Sequence, residues 1–190
     1  PQLLRMNFGV FVLHLIQTAM WILVPSGLVG SGALPLAEHW KVYLPAVLLS
    51  FVVMVPAIIA AEKHGRMKVV FAAAVVLLFI VQIGFGFLAS GVYALFFWLF
   101  LFFVAFNVLE ATQPSLISRI APPHAKGAAL GVYNTTQSLG LFLGGSLGGL
   151  LVVVSGPQAV WLVCAALALI WLAVALSMTM PAPRAAQASA

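Results

Sequence analysis

Six long apolar blocks separated by short breaks constrain this sequence more than any other feature. A helix of about 20 apolar residues, rising 1.5 Å per residue, crosses the roughly 30 Å hydrocarbon core of a bilayer. Helices satisfy their own backbone hydrogen bonds in lipid, and these blocks are too long and too uniformly apolar for the alternating strands of a barrel. The sequence therefore predicts an all-α polytopic membrane protein whose six transmembrane helices lie at about 6–29, 42–61, 69–89, 92–116, 128–154 and 158–180.

Composition and charge support a lipid environment. Of the 190 residues, 64% are hydrophobic and 6% are charged, whereas about a quarter of a soluble domain is charged. The net charge of +5 does not indicate a nucleic-acid binder, because the eight Lys and Arg residues are scattered between apolar blocks. The single cysteine, Cys164, lies in an apolar run and carries no disulfide or metal signal. We therefore expect the lipid bilayer as a partner, and no metal or cofactor.

The loop charges predict the orientation. Lys and Arg collect in the cytoplasmic loops of membrane proteins, and only Lys41 falls on the opposite side from the other seven basic residues. Both termini are thus predicted to be cytoplasmic in a cell (inner or plasma) membrane, and the small, polar residues 181–190 to form a disordered cytoplasmic tail. Because the chain begins with Pro1 and shows no signal pattern, we expect it to be a fragment. The seven residues are Arg5, Lys63, Arg66, Lys68, Arg119, Lys126 and Arg184.

The fifth block is unusually rich in glycine. Each Gly in a water-exposed helix costs about 1 kcal/mol relative to Ala, whereas between membrane helices it allows close backbone contact. Three of these glycines follow at four-residue spacing and form a flat stripe. The helix is therefore predicted to pack closely against another through some or all of Gly131, Gly140, Gly144, Gly145, Gly148 and Gly149.

The loop after the second block combines an acid, basic residues and a glycine at fixed spacing. A carboxylate in such a loop can accept hydrogen bonds from an arginine or a helix N-terminus in one conformation and release them in another. This pattern predicts a conformational latch, although the cytoplasmic preference for basic residues alone would also produce a basic loop. The latch residues are Glu62, Lys63, Gly65, Arg66 and Lys68.

Polar side chains within the blocks mark candidate functional positions. Glu110 is the only acid well inside a block, and an ionised side chain there costs about 2.5–3.5 kcal/mol. We expect Glu110, with Asn107 one turn earlier, either to carry a proton or to act as a structural hydrogen-bond anchor. A polar stripe on the first helix, together with two polar residues on the fifth, predicts a substrate path, although such a histidine can also be a packed core residue. The path candidates are His14, Gln17, Thr18, Trp21, Asn134 and Gln137.

These motifs resemble the major facilitator superfamily, in particular its drug/proton-antiporter-like branch. That branch carries one Gly, eight residues, Gly, three residues, Gly-Pro, two residues and Gly-Gly. The fifth block matches this pattern except that Gly145 replaces the Pro, which is typical of the counterpart helix eleven. The resemblance implies that this chain is the carboxy-terminal half of a twelve-helix transporter. It further implies a missing amino-terminal six-helix half as partner and proton-coupled export of a small molecule by alternating access.

Two other classes compete with the transporter half. A self-contained six-helix protein, such as a channel or half-size carrier, could act as a homodimer. An enzyme is disfavoured, because the sequence shows no ligand pair at metal spacing and no activated nucleophile, so no catalytic residue is assigned.

The family layout places helix eleven at the boundary between halves. We therefore expect the stripe of Gly140, Gly144 and Gly148 to contact the other half and to be open in this chain.

Overall fold

Six α-helices make up most of the computed structural model, which describes residues 1–31, 33–179 and 181. Single turns of 3-10 helix at Leu36–Glu38 and Pro123–Ala125 precede the second and fifth helices. All six α-helices are long and apolar enough to cross a membrane. The prediction of an all-α membrane protein with six transmembrane helices is confirmed. The helices are α1 (Gln2–Gly30), α2 (Trp40–Lys63), α3 (Met67–Phe87), α4 (Gly91–Ile120), α5 (Lys126–Ser155) and α6 (Pro157–Leu176).

The helix ends differ from the predicted spans by up to four residues. α1 begins four residues earlier and α6 ends four residues earlier, whereas α4 is longer than predicted. This helix continues four residues past the expected end at 116, because the first position that resists helix lies just before Pro122. Ala121 is accordingly extended, with ψ of 142°. Arg119, expected in a loop, therefore lies on the last turn of α4. Of the predicted tail, only Pro181 belongs to the described residues; 182–190 lie outside them.

The six helices pack as three long pairs, and α4 occupies the centre of the bundle. α1 runs along α5, α2 along α4, and α3 along α6, while α4 also contacts α1, α3 and α5. Buried aromatic and aliphatic side chains of α4, such as Leu99, Phe102 and Leu109, fill the centre. The amino terminus, the α2–α3 loop and the α4–α5 loop all lie at one end of the bundle, here called the basic end.

The glycine stripe of α5 packs against α1. A Cβ atom added at Gly140 would lie 2.5 Å from the Phe11 carbonyl oxygen, and one at Gly144 would overlap the Leu15 backbone. One at Gly148 would meet the Ala19 Cβ at 3.5 Å. Both helices advance by four residues between contacts, so they run parallel in register. The predicted close packing is present, but the prediction that the stripe is open in this chain and contacts a missing half was wrong.

The physical reason is that α1 itself supplies the facing surface, at backbone level, inside the six-helix bundle. The other three glycines that were predicted to pack do not make comparable contacts. A Cβ at Gly145 would only touch the Thr18 methyl group at 3.4 Å, and one at Gly131 or Gly149 would meet nothing within 4 Å. Close packing elsewhere uses glycines that the sequence pattern did not single out: Gly9 lies against Trp171, and Gly84 lies against Trp98.

We predict that Gly144→Ala destabilises the six-helix chain itself. The added methyl group would force α5 away from the Leu15 backbone, and overpacking of this kind typically costs about 1–3 kcal/mol. Gly149→Ala is the matched control, because it adds a methyl group to the same helix at a position with open space. Alanine also has a higher helix propensity than glycine. Thermal unfolding of the purified chain in detergent measures both. Equal melting temperatures for the two variants would contradict this packing.

Candidate functional site

The imidazole of His14 is held in one orientation in the middle of α1. Its Nδ1 atom lies 2.9 Å from the carbonyl oxygen of Val10, one turn earlier. Since a carbonyl oxygen only accepts, Nδ1 carries a hydrogen atom and donates it. The ring of Phe106 on α4 packs edge-on against the imidazole at a centroid distance of 5.9 Å. His14 is 2% exposed, and its Nε2 atom is the ring nitrogen left for other helices.

That Nε2 atom meets two polar side chains, one from each neighbouring helix. The amide nitrogen of Gln137 on α5 is 2.8 Å away, and the Oε2 atom of Glu110 on α4 is 3.3 Å away. We call His14, Glu110 and Gln137 the His14 cluster. The single lone pair of a neutral Nε2 is occupied by the Gln137 amide. Oε2 of Glu110 is buried and has no hydrogen-bond donor among the residues described. The cluster can therefore take one further proton between Nε2 and Oε2.

The His14 cluster lies well inside the membrane-spanning helices. Its members are ten to twelve residues from the ends of their helices at the basic end of the bundle, which corresponds to about 15–18 Å of helix. This is roughly half of the 30 Å hydrocarbon core. The Glu110 side chain is 34% exposed, so one side of its carboxyl group is open while the other faces His14.

The remaining members of the predicted substrate path do not join the cluster. Thr18 donates its hydroxyl hydrogen to the His14 carbonyl oxygen at 3.0 Å, and Gln17 is half-buried. Trp21 is 44% exposed and stacks on Tyr43 of α2, with centroids 5.0 Å apart. Asn134 is exposed on α5, nearly one turn before Gln137. Of the six path candidates, His14 and Gln137 are the two that form a hydrogen bond between their side chains.

Asn107 has a different partner from Glu110, although both lie on one face of α4. Its amide donates to the Ser50 hydroxyl on α2 at 2.8 Å, and that hydroxyl donates to the Val47 carbonyl oxygen at 2.6 Å. The pair therefore links α2 to α4. Sequence reasoning missed Ser50, although it is the only polar residue between Tyr43 and Glu62.

Tyr133 is a second residue that the sequence reading missed. It lies on α5, one turn before Gln137, and is 2% exposed. Its hydroxyl group has no hydrogen-bond partner in the described part of the chain, and it lies close enough to Glu110 for the two to interact electrostatically. Its four-residue spacing from Gln137 was the available signal, because that spacing places both residues on one face of a helix.

The predicted latch loop contains an ion pair with a partner outside the loop. Glu62, in the last turn of α2, lies 3.2 Å from Nη1 of Arg119 on α4. The two side chains are 28% and 10% exposed, respectively. The basic residues of the loop itself, Lys63, Arg66 and Lys68, are exposed. The sequence identified the acid of this pair but placed its basic partner in another loop.

Gly65 gives this loop its shape. Its φ of +65° is a left-handed conformation that favours glycine. The Arg66 amide donates to the Ala61 carbonyl oxygen at 2.8 Å, and the Gly65 amide donates to the Glu62 carbonyl oxygen at 3.4 Å. These are the two bonds of a Schellman motif, which ends α2 and satisfies its last carbonyl groups. The turn thereby holds Glu62 at the end of α2, beside α4.

Residues 6–190 match the family model of the Major Facilitator Superfamily. The inner membrane transport protein YajR of Escherichia coli is 44% identical over 181 residues, which cover 95% of this chain and 40% of YajR. An uncharacterized transporter of Buchnera aphidicola subsp. Schizaphis graminum is 32% identical over 168 residues, 88% of this chain and 43% of that protein. The corresponding values for an uncharacterized transporter of Buchnera aphidicola subsp. Acyrthosiphon pisum are 30%, 140 residues, 74% and 36%.

The chain thus spans about two fifths of the length of these relatives. The family match covers nearly all of the chain, and its six apolar helices provide the membrane-embedded structure that such proteins need. This chain is an integral membrane protein and belongs to the Major Facilitator Superfamily of membrane transporters.

Proposed function

We propose that this chain is the carboxy-terminal six-helix half of a twelve-helix secondary transporter that exports a small molecule in exchange for protons. In this proposal, two halves rock about a site near the middle of the membrane and expose it to each side in turn. The observation that carries the proton coupling is the 3.3 Å approach of His14 Nε2 to Glu110 Oε2, in a cluster that has room for one more proton. The name of the relative YajR, an inner membrane transport protein, supports a location in the inner membrane.

Glu110 suits a proton carrier better than an anchor. The anchoring role on this face of α4 belongs to Asn107, whose amide is bonded to Ser50 of the neighbouring helix. Glu110 instead has one oxygen that is buried against His14 and finds no donor in the described part of the chain, and its side chain is partly exposed. An ionised carboxylate at this depth is costly, so proton uptake stabilises the cluster. Release of the proton becomes favourable when water reaches the open side.

The exposed surface of α5 supports a partner half. Only 17% of the most apolar stretch of α2 and of α5 is buried, against 50% in α3 and α4. On α5 the exposed residues include a second stripe at four-residue spacing, offset by two residues, or about 200°, from the buried glycines. This outer stripe is partly polar, which suits a protein partner or a water-filled path better than lipid. It consists of Asn134, Ser138, Phe142 and Ser146.

The Glu62–Arg119 pair is our candidate for the conformational latch. It joins α2 to α4 at the basic end, where six of the seven Lys and Arg residues in the described part of the chain collect, and we propose that this end faces the cytoplasm. The exposed side chains of Lys63, Arg66 and Lys68 are available at the same end for contacts with the other half. A pair that stabilises one arrangement of α2 and α4 would influence which side of the transporter is open.

Glu110→Gln tests the proton site. Glutamine keeps the shape and hydrogen bonding of glutamate but does not ionise, so the full-length protein should bind one proton fewer when its pH is lowered in weakly buffered solution with a pH-sensitive dye. In proteoliposomes, proton flux driven by a panel of small molecules should fall at least tenfold. Glu38→Gln is the control, because Glu38 pairs with Lys41 at the opposite end of the bundle. Because Glu38→Gln also removes one titratable carboxyl group, the two variants are compared by their proton flux, and equal flux in both would refute the proposed site.

Removal of Arg119 tests the latch. Arg119→Met should lower stability by roughly 1.5–3 kcal/mol, the usual contribution of a hydrogen bond to a charged group, and should also slow transport. Arg66→Met, which removes an exposed arginine of the predicted latch loop, should change stability and transport little. The double variant Glu62→Arg with Arg119→Glu restores opposite charges and should recover both properties. If Arg66→Met and Arg119→Met behave alike, the loop charge matters only for topology.

The assembly state separates the transporter half from the homodimer. We expect the solubilised chain to bind a co-expressed amino-terminal half of the full-length protein in a one-to-one complex, and Ser138→Trp on the outer stripe to weaken that complex without lowering the melting temperature of the chain. Light scattering in detergent measures the masses. A stable particle of twice the 20.1 kDa chain mass, indifferent to the other half, would favour the homodimer.

A further inference from the structure

We infer that Gln137 is a positioning residue of the proton site, whose amide group takes opposite orientations when His14 is neutral and when it is protonated. The inference rests on the proposed proton site and adds a residue on a third helix to it. The observation behind it is the 2.8 Å distance between the Gln137 amide nitrogen and Nε2 of His14. This contact joins α5 to the atom that gains the proton.

The neutral state has a single arrangement of donors and acceptors. Nδ1 of His14 donates to the Val10 carbonyl oxygen, so Nε2 holds the lone pair of the neutral ring. The Gln137 amide donates to that lone pair. The edge-on packing of Phe106 and the burial of His14 hold the ring plane. Gln137 therefore stabilises the neutral form of His14.

Protonation of Nε2 reverses the requirement. An Nε2–H group would face an amide N–H group at 2.8 Å, donor against donor, and this contact is repulsive. Rotation about the last side-chain bond of Gln137 presents its carbonyl oxygen instead, and such terminal torsions are soft and roughly two-fold. The protonated ring can then donate to Glu110 Oε2, since hydrogen bonds between charged groups are about twice as strong as neutral ones. Because Glu110 is the stronger acceptor, it takes the Nε2–H hydrogen bond, and the rotated Gln137 amide keeps no hydrogen bond to His14.

The surroundings contain few other groups that could govern this titration. From α4 the facing ionisable group is Glu110, and α5 carries the Tyr133 hydroxyl one turn before Gln137. α6 carries no charged residue. On α1 the only charged side chain is Arg5, nine residues from His14 or about 13 Å along the helix, and it donates to the Ser177 carbonyl oxygen. Glu110 and Gln137 are therefore the two side chains that approach Nε2 of His14.

The position of Gln137 links the proton to the packing of α5. One turn further along, Gly140 and Gly144 touch the α1 backbone, where little displacement is possible. The outer stripe of α5, which we propose to face the other half, contains Asn134 and Ser138 on either side of Gln137. Loss of the hydrogen bond to neutral His14 removes a tie between α1 and α5 beside both surfaces. Proton uptake thereby changes the contact between two helices as well as the charge of the site.

The test follows the titration of His14 by NMR in the full-length protein with isotopically labelled histidine, assigned with a His14→Gln variant. Gln137→Leu removes the amide donor that favours the neutral ring. The midpoint of the His14 titration should therefore move to higher pH, by about one pH unit or a tenfold change in proton affinity. Gln137→Glu should move it further in the same direction. Gln82→Leu is the control, because it removes a buried amide from a different helix, α3, and it should leave the midpoint unchanged.

An unchanged midpoint in Gln137→Leu would overturn the inference. If that variant does not fold, Gln137→Glu decides in the same way, because an unchanged or lowered midpoint would contradict it. If Gln137 only supported packing, its replacement would lower the melting temperature and leave the midpoint of the His14 titration unchanged. Suppose that Gln137→Leu shifts the midpoint of the His14 titration but Glu110→Gln leaves the proton flux unchanged. That result would uphold the role of Gln137 and refute the proposed transport mechanism. Proton-coupled flux with an unmoved midpoint would refute the role of Gln137 alone.

Discussion

Close contact between the backbones of α1 and α5 determines where the polar side chains of this protein can meet. In lipid, helices gain little from hiding apolar surface from water, so close packing and hydrogen bonds hold them together. Gly140 and Gly144 permit such contact with Phe11 and Leu15. The parallel course of the two helices then places Gln137 beside His14. A larger residue in either glycine position would separate the two helices at the depth of the His14 cluster.

The hydrogen-bond inventory distinguishes two kinds of polar contact in the bundle. The link between Asn107 and Ser50 is satisfied by a further bond to a carbonyl oxygen of α2, and it needs no change in protonation to be stable. The His14 cluster differs, because Oε2 of Glu110 is buried and meets no donor among the residues that the structure describes. A membrane protein gains nothing in stability from such an arrangement. A cluster that becomes complete only when it takes up a proton is better explained by function than by packing.

Three features of the bundle lie side by side across α5, in an order that suits the proposed transporter half. The buried glycines join α5 to α1, the His14 cluster lies beside this contact, and the outer stripe of α5 faces away from it. The Glu62–Arg119 pair adds a separate link between α2 and α4 at the basic end. α5 is thus tied firmly on one side and exposed on the other. This is the arrangement expected of a helix that carries a change at a buried site to a surface where a partner half binds.

The sequence by itself determined the number of helices, the family and the presence of an acid, Glu110, within a membrane-spanning helix. Length, hydropathy and motif spacing are local properties of the chain. It also identified the glycines of α5 as a packing surface. The structure alone decided that this surface meets α1, that Glu62 pairs with Arg119, and that Asn107 binds Ser50 while Glu110 approaches His14. These outcomes depend on the rotation and register of one helix against another. Each helix has several faces that look equally suitable, and only the simultaneous packing of all six selects among them.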